Sequence, residues 1–255
     1  MKYESIIILK IDFSGQIVIV TGGTRGIGAS IAELFLSLNA EVIATGTNKV
    51  HIQRLNQNSP RKKIKYKHLD FLDDESITVF IDEMKTNKKI KILINNAGVN
   101  KIDSIGDISV MDWDMINNIN IRGPFILTNA ISKIMITNGY GRIINIASIF
   151  GTVSKSKRAV YSSSKWGLIG LTKAVALDLA DKNILVNAIS PGFLDTELTR
   201  EILSKTDIQD IIEMIPQKRL ALPAEIAKTV AFLASEHNSY ITGQNIVIDG
   251  GFTSA

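Results

Sequence analysis

The chain has 255 residues, 45% of them apolar and 21% charged, which suits one large α/β domain with a sizeable core. It contains no cysteine, which excludes disulfides, thiolate metal sites and cysteine nucleophiles. A net charge of +4 is too mild to mark a nucleic-acid partner, and no apolar run approaches the roughly 18 residues of a membrane span.

Residues 1–12 read as an N-terminal extension, with the apolar run Ile6 to Leu9 as an added strand or a loose tail. It has too short an apolar stretch for a leader, so the protein is expected to be untargeted and cytoplasmic. Gln16 to Thr21 is a short β-branched run between glycines and predicts a buried strand. Residues 26–38 then carry a helical period through Ile27, Ile31, Leu34, Phe35 and Leu38. Further strands are expected at Glu41 to Thr45 and Ile64 to Leu69. The second of these covers the end of the basic stretch Arg61 to His68, which alternates charged and apolar residues there and reads as a solvated strand edge. Residues 75–84 predict a helix, Ile90 to Asn95 a strand, and 112–136 a long helix broken near Gly123-Pro124. Arg142 to Ala147 is the fifth strand, 158–180 a helix and Ile184 to Ile189 the sixth strand. Residues 193–219 form a charged helical segment expected to act as a mobile substrate lid. A helix over 223–235 and a strand over Asn245 to Ile248 complete the chain.

No linker or repeat divides this order, so residues 13–255 are taken as a single domain. Strands alternating with helices predict a doubly wound, Rossmann-like parallel sheet covered on both faces. Ligands of such sheets bind outside the carboxyl ends of the strands.

Between the first strand and its helix lies Thr21-Gly22-Gly23-Thr24-Arg25-Gly26-Ile27-Gly28. Glycines let the backbone approach a pyrophosphate, and the helix N-terminus offers it free N–H groups. At the end of the second strand, Thr45-Gly46-Thr47-Asn48-Lys49 lacks the carboxylate that holds a ribose 2′-hydroxyl in NAD sites. Arg25, Thr47 and Lys49 could instead bind a 2′-phosphate, so NADP(H) is expected over NAD(H).

Tyr161 and Lys165 are four apart on a predicted helix and share a face. Ionising a tyrosine at neutral pH costs roughly 4 kcal/mol, and a nearby ammonium lowers its pKa by about 1–3 units. The pair can therefore trade a proton with a reacting oxygen. Ser148 follows the fifth strand and could hydrogen-bond that oxygen. Asn120 lies in the long helix, where a kink could free a backbone carbonyl to hold water. The three histidines, His51, His68 and His237, have no ligand spacing, and no metal is expected. Lys155, Lys157 and Arg158 lie between Ser148 and Tyr161 and could attract an anionic substrate, although loop cations are more often simply solvated.

Taken together, the glycine turn, Asn95-Asn96-Ala97-Gly98, Asn120, Ser148, Tyr161/Lys165 and Pro191-Gly192 resemble the short-chain dehydrogenase/reductase family in order and spacing, over about residues 13–252. The resemblance implies a catalytic tetrad of Asn120, Ser148, Tyr161 and Lys165. It implies a phosphate turn of Gly22, Thr24, Arg25, Gly26, Ile27 and Gly28, and an adenine contact at Asp70 and Phe71. Asn96, Ala97 and Gly98 would line the adenosine ribose, and Pro191, Gly192, Leu194 and Thr196 would meet the carboxamide. Lys165 would also hold the nicotinamide ribose.

Within the family, Pro191-Gly-Phe-Leu-Asp-Thr196 and Tyr240-Ile-Thr-Gly-Gln-Asn245 are similar to β-ketoacyl-carrier-protein reductases, and they also occur in sugar, polyol and quinone reductases. The resemblance implies a ketone or acyl thioester substrate and a homotetramer. It also raises an acidic acyl carrier protein as partner. Those relatives tend to carry basic residues just before the fifth strand, whereas Thr137-Asn138-Gly139-Tyr140-Gly141 has none, although Lys182 remains. A sugar or polyol dehydrogenase is the alternative within the family. A non-catalytic nucleotide sensor is the alternative outside that chemistry, and it would have no need of the Tyr–Lys pair.

Overall fold

The computed structural model describes residues 10–58 and 64–255. The run Ile6 to Leu9 and the start of the basic stretch, Arg61 to Lys63, lie outside the described residues.

Seven parallel strands form one sheet: β1 (Ile17–Val20), β2 (Glu41–Gly46), β3 (Ile64–His68), β4 (Ile90–Asn95), β5 (Gly141–Ile146), β6 (Ile184–Pro191) and β7 (Asn245–Ile248). Their order across the sheet is β3-β2-β1-β4-β5-β6-β7. The strand order reverses at β1, so a crevice opens between the carboxyl ends of β1 and β4, where doubly wound sheets hold their ligands.

Alternation along each strand feeds two cores. Val18 and Val20 of β1 pack with Ile31 and Phe35 of α1 (Gly26–Ser37) and Ile226 and Val230 of α9 (Pro223–Ala234). Ile17 and Ile19 face the other way. They join Ile77 and Phe80 of α3 (Asp74–Lys85), Leu127 and Ile131 of α5 (Gly123–Asn138), and Ala176 and Leu179 of α6 (Ala159–Leu179). Burial on both faces explains why the strands read as continuous apolar runs. Each such side chain contributes about 1.5–3 kcal/mol relative to exposure.

The structure differs from the sequence expectation in two places. A helix, α2 (Lys49–Asn58), follows β2, capped by Asn48, whose Oδ1 accepts the His51 N–H at 2.9 Å. The long helix is not broken at Gly123-Pro124. Instead α4 (Val110–Asn117) passes into one π turn at Asn118–Arg122, and Gly123 and Pro124 then open α5. The Gly123 N–H bonds back to the Asn118 carbonyl, so the helical run is continuous and Pro124 sits directly after the π turn. The segment over 193–219 holds two helices, α7 (Glu197–Ile202) and α8 (Lys205–Met214). Its stem is tied down by backbone bonds from Ala221 to Phe193 at 3.0 Å and from Asp195 to Ala221 at 2.9 Å. Among the described residues no helix is long and apolar enough to cross a membrane.

Candidate active site

The turn after β1 is built for close approach. Gly22 and Gly26 have φ of +61° and +57°, the left-handed region that favours glycine. A Cβ on Gly28 would stand 2.3 Å from the Gly22 carbonyl oxygen and 2.5 Å from Asn96 Nδ2. Thr21 is the hub of this turn. Its hydroxyl oxygen accepts the backbone N–H groups of Asn96 and Ala97, both at 2.9 Å. The Asn96 amide in turn donates to the carbonyls of Thr21 and Gly22, at 2.9 and 3.1 Å. Asn96 therefore props the glycine turn against the end of β4, with its amide donors already engaged there. Thr21, the partner in three of these contacts, had no signal in the sequence beyond its place at a strand end.

Arg25 precedes α1 with an extended backbone and an exposed side chain, and no acidic residue occupies the first turn of that helix. Thr24 packs against Gly46 at the end of β2, while Thr47 and Lys49 are exposed just beyond. Asp70 accepts the Leu72 N–H at 2.9 Å within its own turn. The Phe71 ring is buried against Gly123, which leaves only its backbone for a ligand. Gly192 lies against Asp249, and Leu194 bridges to Ala221. Thr196 caps α7, accepting the Thr199 N–H at 3.2 Å.

Two residues of the expected tetrad, Lys165 and Asn120, meet beside Gly98. A Cβ there would stand 3.3 Å from Lys165 Nζ and 3.4 Å from Asn120 Oδ1. Asn120, fully buried in the π turn, clamps Val99: its Oδ1 accepts the Val99 N–H at 2.9 Å and its Nδ2 donates to the Val99 carbonyl at 3.0 Å. The same Nδ2 donates to Ser164 Oγ at 2.9 Å, next to Lys165 on α6. Lys165 donates to the carbonyl of Ile146, two residues before Ser148, at 2.9 Å. Its ammonium lies 5.7 Å from the centre of the Tyr161 ring.

Burial pushes the Tyr161 phenol above its usual range, opposed by a hydrogen bond with Ser148 and by the charge of Arg158. Arg158 is thus a second cation beside the phenol, which the helical spacing of Tyr161 and Lys165 did not single out. Burial also brings the Lys165 ammonium down to about 8. A raised phenol is protonated at neutral pH, ready to donate rather than to accept.

Sequence reading also missed an aromatic row beside the phenol. Tyr161 meets Phe150 edge-on at 6.4 Å, Phe150 meets Phe193 at 6.3 Å, and Phe193 meets Phe252 at 5.3 Å. Phe150 and Phe193 follow the carboxyl ends of β5 and β6, the one cue available in sequence. A cavity of about 170 Å³ adjoins Phe193, between Gln217, Ala221 and Gly250.

A family model described as enoyl-(acyl carrier protein) reductase matches residues 22–253, from the glycine turn to beyond β7. The chain belongs to the short-chain dehydrogenase/reductase family. Among the curated short-chain dehydrogenase/reductases, it is 38% identical to the 3-oxoacyl-[acyl-carrier-protein] reductase FabG of Aquifex aeolicus, over 95% of this chain and 99% of that one. It is 35% identical to the FabG of Escherichia coli, over 94% and 98%. Among solved structures it matches ElxO with NADP bound, with a TM-score of 0.88 and 32% identity over 94% of this chain and 99% of that one. It also matches a putative gluconate dehydrogenase of Agrobacterium tumefaciens, with a TM-score of 0.88 and 28% identity over 97% and 100%. The fold is therefore that of a short-chain dehydrogenase/reductase, and the chain is an NAD(P)-dependent oxidoreductase acting between CH–OH and C=O groups.

Proposed function

We propose that this short-chain dehydrogenase/reductase is an NADPH-dependent carbonyl reductase, converting the ketone of a 3-oxoacyl thioester or similar small carbonyl compound to a secondary alcohol. The observation that carries the reading is the placement of Lys165 against the end of β5, its ammonium bonded to the Ile146 carbonyl and 5.7 Å from the centre of the half-buried Tyr161 ring, with Ser148 two residues beyond Ile146. FabG relatives and the NADP-bound ElxO support the substrate class and the cofactor.

The residues present fit the dinucleotide. Gly28 lets the turn fold tightly onto the Gly22 carbonyl, and Gly26, with open space where a Cβ would stand, leaves room for a pyrophosphate at a helix N-terminus free of acidic side chains. Gly22, Thr24, Arg25, Gly26, Ile27 and Gly28 would hold it, with Arg25 and Thr47 at the 2′-phosphate. Asp70 and the backbone of Phe71 would meet the adenine, and Asn96, Ala97 and Gly98 the adenosine ribose. Pro191, Gly192, Leu194 and Thr196 would meet the carboxamide. When bound, NADPH supplies the hydride. Ser148 orients the substrate carbonyl, and Tyr161 gives its phenolic proton to the oxygen. Lys165, fixed on Ile146, holds the ribose hydroxyls, and the π turn around Asn120 offers a place for a relay water to Lys165.

The lid, over about 193–219, closes on the aromatic row. A homotetramer is the assembly we expect, because Val110, Met111 and Trp113 of α4, Phe125 of α5 and Trp166 and Leu177 of α6 are large apolar side chains left exposed. The acyl carrier is less well supported: residues 137–141 carry no charge, and Lys182 beside them is paired with Asp181 at 2.6 Å. The gluconate dehydrogenases among the solved neighbours support a second reading, a sugar-acid or polyol dehydrogenase. Loss of reduced-cofactor absorbance across a panel of acetoacetyl thioesters, simple ketones and keto-sugars tests both. No consumption of NADPH with any of them would overturn the reductase reading.

A further inference from the structure

Three cations lie between Ser148 and Tyr161, and the structure separates them. Lys155 and Lys157 are exposed, whereas Arg158 is half-buried at the start of α6. Arg158 and Tyr161 are three apart in the first turn, so they are neighbours on one helix face. The Arg158 guanidinium stacks on the Phe150 ring, 5.3 Å from its centre, and that ring meets Tyr161 edge-on. Arg158, Tyr161 and Lys165 thus form a row in which the phenol stands between two cations.

Among the described residues, Arg158 has no carboxylate partner and its side chain makes no hydrogen bond. Several other arginines are compensated. Arg200 grips Asp195 through two bonds of 2.7 Å, and Arg219 grips Glu225 likewise. Buried Arg142 gives its two terminal nitrogens to the carbonyls of Gly141, Asn183 and Asn238, with only its Nε left unpartnered. Burial weakens the Arg158 charge, and the one group that would favour it is the Tyr161 phenolate, which is protonated and neutral at neutral pH. A guanidinium carries five donors in a planar fork shaped for a carboxylate, and partial burial without an anion is costly. The cation–π contact with Phe150 offsets part of that cost and leaves the donors unmet.

We propose that Arg158 is a substrate-anion subsite, taking the carboxylate of a small oxo acid whose carbonyl is held by Ser148 and Tyr161. The inference rests on the reductase reading and takes its small-carbonyl branch, with a carboxylate within a few bonds of the ketone, in place of the 3-oxoacyl thioester, which has no such carboxylate. The carboxylate makes and breaks no bond, so the reaction balance is that of ketone reduction.

The test compares the wild-type enzyme with Arg158→Gln and Arg158→Lys, using NADPH and a series of short 2-, 3- and 4-oxo acids, each paired with its methyl ester. Both members of a pair use the same phenol, so any change in Tyr161 acidity cancels in their ratio. In the wild type at least one acid should exceed its ester in kcat/KM. That ratio should fall roughly 10- to 100-fold in Arg158→Gln, mainly through KM, with partial recovery in Arg158→Lys. Calorimetry adds a readout independent of turnover: the preferred acid should bind the enzyme–NADP⁺ complex, and bind roughly tenfold or more weakly in Arg158→Gln. Equal loss for acids and esters would reduce Arg158 to a support for Phe150 or the phenol and overturn the proposal. So would a wild-type preference for esters or thioesters over every acid. Absence of turnover throughout would sink the reductase reading instead. Calorimetry would then still decide whether Arg158 binds the carboxylate.

Discussion

Lys165 donates to the carbonyl oxygen of Ile146 at 2.9 Å, which tethers the middle of α6 to the last residue of β5. The tether holds an ammonium in a buried position, where its pKa falls from 10.5 to about 8. Below pH 8 both folded and unfolded chains carry this proton, so the whole cost of burying the charge is present. Between 8 and 10.5 the folded chain sheds the proton and the unfolded chain keeps it, so the cost is relieved as pH rises. At about 1.4 kcal/mol per unit, the cost at neutral pH is on the order of 3 kcal/mol. Lys165→Met should therefore lose nearly all turnover yet unfold at higher urea than the wild type at pH 7, with the gap closing towards pH 10. Urea titrations of both proteins without cofactor, at one protomer concentration, check this. A variant less stable than the wild type at pH 7 would show that the Ile146 bond outweighs desolvation.

Removal of the phenolic proton has a different signature. Tyr161→Phe should lower kcat by roughly 10²–10⁴-fold, the usual worth of a general acid, and leave NADPH binding within a few-fold. Because burial keeps the phenol protonated, wild-type reduction should hold level through neutral pH. It should decline only from about pH 8, where Lys165 loses its charge. A decline already complete at pH 7 would mean that another group donates the proton.

Two glycines separate site geometry from fold. Gly98→Ala would bring a Cβ to ordinary but tight range of Lys165 Nζ and Asn120 Oδ1, both side-chain atoms that can yield. It should cost roughly tenfold in kcat, with little change in Tm. Gly28→Ala would press a Cβ onto the Gly22 carbonyl, which is backbone and cannot yield without moving the turn. That variant should lose measurable NADPH binding in a fluorescence titration. Retained affinity would show that the turn is softer than its hydrogen bonds to Asn96 imply.

The inner strands were legible because burial on both faces of a parallel sheet leaves short β-branched apolar runs, bounded here by glycines and other turn residues. Helix α2 was not, since Lys49–Asn58 buries Ile52 alone and presents no apolar stripe. The break in the long helix was assigned to Gly123-Pro124, the residues that ordinarily interrupt helices, whereas the irregularity is a shift in backbone pairing at Asn118–Arg122 that side-chain identity does not announce. The four residues of the expected tetrad were legible from a resemblance that spans the chain. What surrounds them was not. The Thr21 hub, the aromatic row and the difference between Arg158 and its neighbouring lysines all depend on contacts between segments far apart in sequence or on how far one side chain is buried.

Cofactor choice is decided at the end of β2. There, Thr47 and Lys49 are exposed, Arg25 is exposed across the turn, and no carboxylate stands among them to repel a phosphate. Charge-assisted bonds to a 2′-phosphate are shorter and about twice as strong as neutral ones. Arg25→Ala should therefore raise the KM for NADPH roughly 10- to 100-fold and leave that for NADH nearly unchanged. Thr47→Asp adds a carboxylate where a 2′-phosphate would sit. It should repel NADPH more strongly than the loss of Arg25 alone, and improve NADH by accepting from its ribose 2′-hydroxyl. Steady-state kinetics with both cofactors on one ketone measure the ratio. Should Arg25→Ala weaken both cofactors equally, Arg25 would be holding the shared pyrophosphate, and discrimination would fall to Thr47 and Lys49.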